Sequence, residues 1–372
     1  MANKYRKLIV ESGIAANETG NYFAPIVSGN GLFEINRLYS SNIAEDHRED
    51  KTLKKKTKKH PEIIQTTLFK GNPETDDLIA YVKDYKDHQI TVSVHILLDI
   101  IELKFTESKG EKVIHLSLSE YMKIRKLSSN SISKVRQQLQ NDLETLHNTS
   151  IKFTDKLIKK HDLPRKTMDF IQGVPALTDE NGKPVRKKTD DIEILLSDDF
   201  YTYLYLLYAR NQIEQYPLFL LAVDTYKEKY VYSMGRYFSY LERVQAGQLN
   251  QYVLTVRKIL EQCGFPTIEQ AREKKNFKGL IIKPFFDALD KLKNVYGYLK
   301  DYYFNDKRDH KADKNLLYNF DYFIDLKLCY WLNTPDQTHL IASRDKQAEK
   351  AAKVKEKAAI KAAADEKKQQ SK

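Results

Sequence analysis

The sequence predicts an α+β, helix-rich chain in which one order of elements occurs twice, and three observations carry that prediction. Apolar residues recur at helical spacing in several separate segments. Short alternating runs follow those helices. The order helix, strand, helix, turn, helix and hairpin found between residues 76 and 196 is then found again between 197 and 342. At 372 residues, with 41% hydrophobic and 11% aromatic residues, the chain can build two cores and is too apolar to be wholly disordered.

The first 75 residues are rich in Gly, Asn and Ser and weakly periodic, which reads as an N-terminal extension. Within it Glu45 to Lys59 ends in six lysines, a solvated loop or a docking segment. In the first domain, His88 to Ser108 carries Val94, Leu97, Leu98, Ile101 and Phe105 at helical spacing. Val113 to Leu118 alternates like a strand, Ser119 is a plausible N-cap for the next helix, and Ile132, Val135, Leu139, Leu143 and Leu146 form one stripe on the helix after it. Ile151 to Phe153 follows as a strand. The turn signal Asp179 to Pro184 then separates two expected hairpin arms, the second ending in IEILLS.

The second domain opens with a helix over Ser197 to Asn211, with Tyr201, Leu204 and Tyr208 on one side. QYVLTVRKILEQCGF, with Val253, Val256, Ile259 and Cys263 in register, reads as a helix ended by Gly264. FKGLIIKPFFDALDKLKNV places Phe277, Ile281, Phe285, Ala288 and Leu292 on one stripe, and Pro284 inside it predicts a kink. GYLKDYYF and YFIDLKLCYWL read as strands, with the basic loop Asn305 to Asn315 at their tip. This is the order of a winged helix, repeated. The fold expected is therefore two tandem winged-helix domains with β-hairpin wings, 76–196 and 197–342. They lie between a flexible N-terminal segment, 1–75, and a helical or disordered Lys/Ala-rich C-terminal tail, 343–372.

The charge balance is 62 Lys+Arg against 51 Asp+Glu, a net of +11. Lys51 to Lys59 supplies six of these charges and the tail from Ser343 five, so the rest of the chain is neutral. Any preference for nucleic acid must come from local asymmetry instead. It comes from the helix after Ser131, where Asn130, Lys134, Gln137, Gln138 and Asn141 lie opposite the apolar stripe, with Arg136 at the edge and no acid on that face until Glu144. Arg and Lys can pair with guanine, and Asn and Gln with adenine, in the major groove. Ser128, Ser129 and the N-terminal amides suit a phosphate.

On the second such helix Asn276, Gly279 and Lys283 lie opposite the stripe, with Lys274, Lys275 and Lys278 around its start. Gly279 would let a backbone phosphate approach, or only relieve helix packing. Phe286 also leaves the stripe, to touch thymine methyls or to pack on the wing or the first domain. The tyrosine-rich runs YTYLYLLY and YVYSMGRYFSY read as core and inter-domain packing.

Reactive constellations are missing. The closest two of the nine histidines, His88 and His95, are seven apart, there is no GxxxxGK[ST], and Gly29-Asn30-Gly31 lacks a third glycine. Asp76-Asp77, Asp190-Asp191 and Asp198-Asp199 read as turns or caps. Cys263 and Cys329 support neither a disulfide framework nor a zinc site. No enzymatic chemistry, metal or cofactor is expected. No apolar run reaches membrane length and MANKYRKLIVESG lacks a signal-peptide core, which predicts a cytoplasmic protein with no membrane partner.

LSLSEYMKIRKL and VRQQLQNDLETLHNTSIKF, then LLSDDFYTYL, KEKYVYSMGRYFSYLERVQAG and FKGLIIKPFFDALDKL, together resemble the iteron-binding plasmid replication initiators built from two tandem winged helices. The likeness is one of order and pattern over roughly Gln89 to Leu332, and the N-terminal segment and tail depart from the compact family core. It implies sequence-specific binding of double-stranded DNA with direct repeats at a replication origin, opening of adjacent duplex, and recruitment of host replication initiation proteins and helicase. It also implies homodimerisation through the first winged-helix domain, copy control, and a bacterial cytoplasmic location, nucleoid or plasmid associated. A winged-helix transcriptional repressor or partition-type DNA-binding protein fits the same residues, and a scaffold whose lysine tail binds acidic partners is the reading from another class.

Overall fold

A computed structural model describes residues 15–16, 22–28, 63–67, 76–83, 91–154, 168–179, 181, 183–245 and 251–335. The lysine block at Lys51 to Lys59, Gly29-Asn30-Gly31 and the tail from Ser343 lie outside the described residues. No helix among the described residues is long and apolar enough to cross a membrane.

Strand β1 (Ala15–Ala16) pairs antiparallel with β2 (Tyr22–Val27), and a hairpin of β3 (Ile63–Thr67) and β4 (Asp76–Lys83) follows. Helix α1 (Val92–Glu107) leads to β5 (Val113–Ser117), α2 (Leu118–Ile124), a single 3-10 turn at Ser129–Ser131 and α3 (Ile132–His147). Strands β6 (Thr149–Thr154), β7 (Met168–Asp169) and β8 (Asp191–Leu195) complete the first winged helix. The N-cap of α2 is Ser117, whose hydroxyl accepts from the Glu120 amide at 3.1 Å, two residues before the expected Ser119.

The expected hairpin around Asp179 to Pro184 is only partly formed. Its turn closes through a Thr178–Pro184 bridge and an Asp179 N–H donated to the Lys183 carbonyl at 2.9 Å. The arm Asp191–Leu195 pairs with β5 instead, from Val113↔Leu195 to Ser117↔Asp191, because Ile192 and Ile194 bury on the same side as Ile114 and Leu116. The other sheet runs β3-β4-β6-β7.

Helix α4 (Asp198–Ala209) is capped by Ser197 and packs on the first unit: Phe200 meets Phe170 edge-on at 5.1 Å, and Tyr201 and Tyr208 meet Phe105 at 6.2 and 6.3 Å. Asp198 and Asp199 occupy its first turn, where a helix favours acids. Strand β9 (Ile213–Pro217) then pairs with β2.

Within the segment expected to be an extension, Tyr22–Val27 is thus a core strand, with Phe23, Ala24, Ile26 and Val27 buried. Pro25 hides it, since proline argues against a central strand. The ladder explains why it is tolerated. Ser28 N–H donates to the Gln212 carbonyl at 2.8 Å, so alternate residues 24 and 26 also face β9, while Val27 N–H turns the other way to Thr106 Oγ1 of α1 at 3.0 Å. Pro25 shares the Val27 side, and its missing donor costs no bond to β9.

The second winged helix comprises α5 (Lys229–Gln245), β10 (Tyr252–Thr255), α6 (Val256–Gln262), α7 (Ile268–Glu273), α8 (Lys283–Asp290), β11 (Leu299–Asn305), α9 (Phe320–Ile324) and β12 (Lys327–Leu332). Its sheet order is β10-β12-β11, antiparallel throughout.

Two expectations are corrected here. Tyr252–Thr255 is a strand with Tyr252 and Leu254 inward and Val253 exposed, and the helix begins only after the Thr255 cap. Phe320–Ile324 is a helix capped by Asn319, with Phe320, Phe323 and Ile324 buried at i, i+3 and i+4, so only the second half of YFIDLKLCYWL is a strand. Gly264, at φ +67, does end α6. Pro284 does not break its helix, because π turns at Lys278–Ile282 and Lys291–Val295 flank α8, and Lys283 N–H donates to the Lys278 carbonyl five residues back. Neither cysteine is in a disulfide, and both are buried.

The two units share α1, which is buried on every side. Thirteen of its sixteen residues are buried, including His95, Asp99 and Glu102. Arg236 on α5 ion-pairs with Glu214 on β9 and reaches Asp99 Oδ1 at 3.2 Å and Glu102 Oε2 at 4.0 Å, its guanidinium 4.9 Å above the Tyr216 ring. Tyr216 and Tyr232 both donate to Asp99 Oδ2, at 2.8 and 2.5 Å, and Ser28 donates to Glu214 at 2.5 Å.

Neither Glu102 oxygen finds a hydrogen-bond donor. Burial, with Asp99 beside it, pushes the Glu102 carboxyl well above its usual range. We therefore expect Arg236→Met to destabilise the protein by about 3–5 kcal/mol, since it leaves Asp99 without its cation and Glu214 with only Arg243, at 3.8 Å. Glu102→Gln should change stability by less than about 1 kcal/mol at neutral pH in denaturant titrations.

Burial also raises Glu242 to about 8 and Asp142 to about 6. Between the unfolded value near 4.5 and the folded one near 8, the native state holds a proton on Glu242 that the unfolded chain has released, so stability falls as pH rises through that window. The melting midpoint should be higher at pH 6 than at pH 8, and Glu242→Gln should shrink the difference.

Candidate nucleic-acid interface

Helix α2 ends in a tight reversal. Leu127 N–H donates to the Met122 carbonyl at 2.8 Å and Lys126 N–H to Lys123 at 3.2 Å, with Lys126 at φ +50, a left-handed position that usually calls for glycine. Ser128 then caps the next turn, its hydroxyl accepting from Asn130 N–H at 3.3 Å and its carbonyl from Ser131 Oγ at 2.8 Å. This places α3 after α2 as the second helix of a helix-turn-helix.

The second unit repeats the device. Thr267 and Gln270 form a capping box on α7, Lys275 is left-handed at φ +49, and Asn276 Oδ1 accepts from Gly279 N–H at 3.1 Å at the start of the long helix.

Ser128, Ser129 and Asn130 in the turn before α3, and Lys134, Gln137, Gln138 and Asn141 on it, are all exposed, as the spacing predicts. Gln137 Nε2 donates to Asn141 Oδ1 at 2.9 Å, which fixes the two amides relative to each other and leaves the Gln137 oxygen and the Asn141 amino group outward. Gln138 is tied inward, donating to Asp142 Oδ1 at 2.7 Å, and Asp142 also accepts from Ser93 of α1 at 2.5 Å. The nearest acids are thereby kept off the face: Asp142 is buried and Glu144 accepts from Gln140 at 2.8 Å. Lys134 pairs with no described acid.

Arg136 departs from the expectation. It is buried, 7% exposed, and its Nη2 donates to the Arg186 carbonyl at 3.3 Å, because 200° of helical rotation from Lys134 turns it towards the segment after β7.

In the second unit Lys274, Lys275, Asn276, Lys278, Gly279 and Lys283 are all exposed. Lys278 Nζ sits 4.8 Å over the ring of Tyr318, itself 59% exposed. A Cβ on Gly279 would stand 2.8 Å from Asn276 Oδ1, so the glycine keeps room for the cap. Phe286 packs against Phe304 at 5.6 Å and Phe323 at 5.7 Å, which gives its ring a place in the core.

In the basic loop, Lys307 pairs with Asp325 at 2.9 Å and Lys327 with Asp309 at 2.7 Å, whereas Lys311 and Lys314 stay exposed without a described acidic partner. Most tyrosines named by the sequence pack inside: Tyr203, Tyr232 and Tyr237 are buried, and Tyr230 stacks on Phe265 at 3.9 Å. Sequence reasoning missed the exposed Lys183, Lys187 and Lys188 after β7, whose only signal was the KPVRKK run inside a segment read as a hairpin.

The arrangement defines a tandem winged-helix protein with an amide-rich, acid-free helix face in one unit and a lysine-bordered helix start in the other. No protein-family model matches the sequence, and no curated protein matches it. Among solved structures the chain is similar to the Pi initiator protein crystallised in complex with iteron DNA, at 13% identity and a TM-score of 0.42, with 67% of this chain and 93% of that one covered. It is also similar to domains 2 and 3 of RctB, at 11% identity and a TM-score of 0.44, with 83% of this chain and 100% of that one covered.

The Asn276 cap gives a stability test. Alanine at 279 gains helix propensity but crowds the cap, so Gly279→Ala should be about 1 kcal/mol more favourable in an Asn276→Ala background than in the wild type. A double-mutant cycle by urea denaturation measures that coupling.

Proposed function

We propose that the chain is a sequence-specific double-stranded DNA-binding protein. On this reading it initiates replication of a plasmid or related mobile element by binding direct repeats at the origin, opening the duplex and recruiting host replication proteins. One observation carries the DNA-binding part. The exposed face of α3 presents Lys134 and the paired amides of Gln137 and Asn141 with the neighbouring carboxylates turned away, on the second helix of a helix-turn-helix. Such groups match the donor and acceptor pattern of base edges in the major groove.

The second unit would bind alongside, its lysines at 274, 275, 278 and 283 meeting phosphate and its exposed Lys311 and Lys314 adding backbone contacts at the wing. The initiator role rests on the resemblance of the sequence pattern to that family.

Footprinting on the DNA flanking the gene is the direct test: protected direct repeats support the reading and a featureless pattern overturns it. Lys134→Ala combined with Gln137→Ala should weaken cognate DNA by about 1–3 kcal/mol more than random DNA. Equal losses would leave α3 a phosphate-binding helix only. A plasmid carrying only this gene and its flanking DNA separates an initiator, which sustains replication, from a repressor or partition-type protein, which does not.

A further inference from the structure

The segment Lys183 to Lys188 lies outside the β6–β7 pairing and is exposed throughout, yet it is held at several points. The Arg186 carbonyl accepts from Arg136 Nη2 of α3 at 3.3 Å, and the Lys188 carbonyl accepts from Ser119 N–H in the first turn of α2 at 2.8 Å. Arg186 turns its own guanidinium back onto the Ala176 and Asp191 carbonyls at 3.3 and 3.1 Å. Lys187 N–H donates to Asp190 Oδ2 at 2.9 Å, and the segment leading in is tied to α3 where Leu177 N–H donates to Gln140 Oε1 at 2.8 Å.

Arg136 and Gln140 occupy the α3 flank between the buried stripe and the face that carries Gln137, so the loop runs along the edge of that face and reaches the start of α2. In a helix-turn-helix the first helix crosses the DNA backbone. The described acids nearby are engaged elsewhere: Asp190 caps this loop, Asp191 meets His115 at 2.6 Å, and Asp179 accepts from Asn181 and Lys183 amides. Lys183, Lys187 and Lys188 are left exposed and unpaired with any described carboxylate.

We propose that Lys183, Lys187 and Lys188 form a phosphate clamp beside α3 that grips the DNA backbone next to the bases α3 reads, and that Arg136 is its positioning residue. The proposal rests on the DNA-binding reading above. Arg136 acts through the Arg186 backbone: it neither reads a base nor carries the charge that meets phosphate. Three exposed lysines carried on a backbone that is held along one edge contribute sequence-independent attraction, and their removal is legible in the salt dependence of binding.

The experiment measures affinity of the full chain for cognate and random duplexes from low to high salt. The variants are Lys183→Ala/Lys187→Ala/Lys188→Ala, Arg136→Met and Arg136→Lys, each checked for an unchanged circular dichroism spectrum. The triple variant should lose affinity for both duplexes in the same proportion and flatten the slope of log K against log salt by roughly 2 to 3, about 0.9 for each phosphate no longer neutralised. Arg136→Met should flatten it partly although all three lysines remain, and Arg136→Lys should restore part of that. An unchanged slope in the triple variant, with wild-type protein still binding the cognate duplex, overturns the clamp alone. A loss confined to cognate DNA overturns it too, by making these lysines base readers. Wild-type protein that binds neither duplex overturns the DNA-binding reading beneath it.

Discussion

The pairing of Arg236 with Asp99 and Glu214 is the interaction on which the arrangement of the chain depends. It joins α5, the first helix of the second winged helix, to α1, the first helix of the first, and to β9, which pairs with the N-terminal strand β2. Burying one guanidinium among carboxylates is expensive unless geometry and hydrogen bonds satisfy them, and here Tyr216, Tyr232 and Ser28 supply the donors. A hydrophobic contact would hold the units together in many registers. A buried ion pair with two tyrosine hydroxyls on one Asp99 oxygen has one satisfactory arrangement, so the network sets the relative placement of α1 and α5.

That placement reaches α3 through Asp142. Its carboxylate accepts from Ser93 of α1 and from Gln138 of α3, so the inner edge of the polar face is tied to the same helix that carries Asp99. Burial raises the Asp142 carboxyl to about 6, so the tie is partly protonated in mildly acidic solution and mostly ionised at neutral pH. The outer amides, Gln137 and Asn141, stay on the solvent side of this anchor. The face is therefore ordered from within, which on the proposed DNA-binding reading lowers the entropy lost when side chains are fixed on binding.

Much of this is legible in the sequence, and the failures have physical causes. The stripe from Val135 to Leu146 and the exposed residues opposite it follow directly from the 3.6-residue period. Strand β2 is hidden by Pro25, whose cost disappears because its side of the strand bonds to Thr106 rather than to β9. Strand β10 reads as helix because Val253, Val256 and Ile259 fall by chance at helical spacing across a strand and a helix. Helix α1 looks amphipathic, yet Asp99 and Glu102 are as buried as its leucines; their partners are remote in the chain, Tyr216 lying 117 positions from Asp99, so no local pattern announces them. Helical angle alone sets Arg136 at the edge of the polar face, and only the segment folded back after β7 decides that it points into the protein.

The two helix starts differ in a way that bears on how the units divide the work. In the first, the helix face itself carries one lysine, Lys134, beside amides fixed at i and i+4, a surface suited to hydrogen bonding, and the further cations stand on the loop at its edge. In the second, exposed lysines ring the start of the long helix, Asn276 is occupied as a cap and Phe286 is drawn into the core, so charge is abundant and directional donors are scarce. Coulombic attraction alone discriminates poorly among sequences, and fixed amides alone attract little from a distance. On the proposed DNA-binding reading, a chain that carries both on units locked by one buried network can use the exposed lysines of both units for capture and the α3 amides for choice. The near-neutral charge of the chain outside its two lysine-rich segments fits that division, since positive and negative residues balance there and attraction depends on where the charges stand rather than on a net excess.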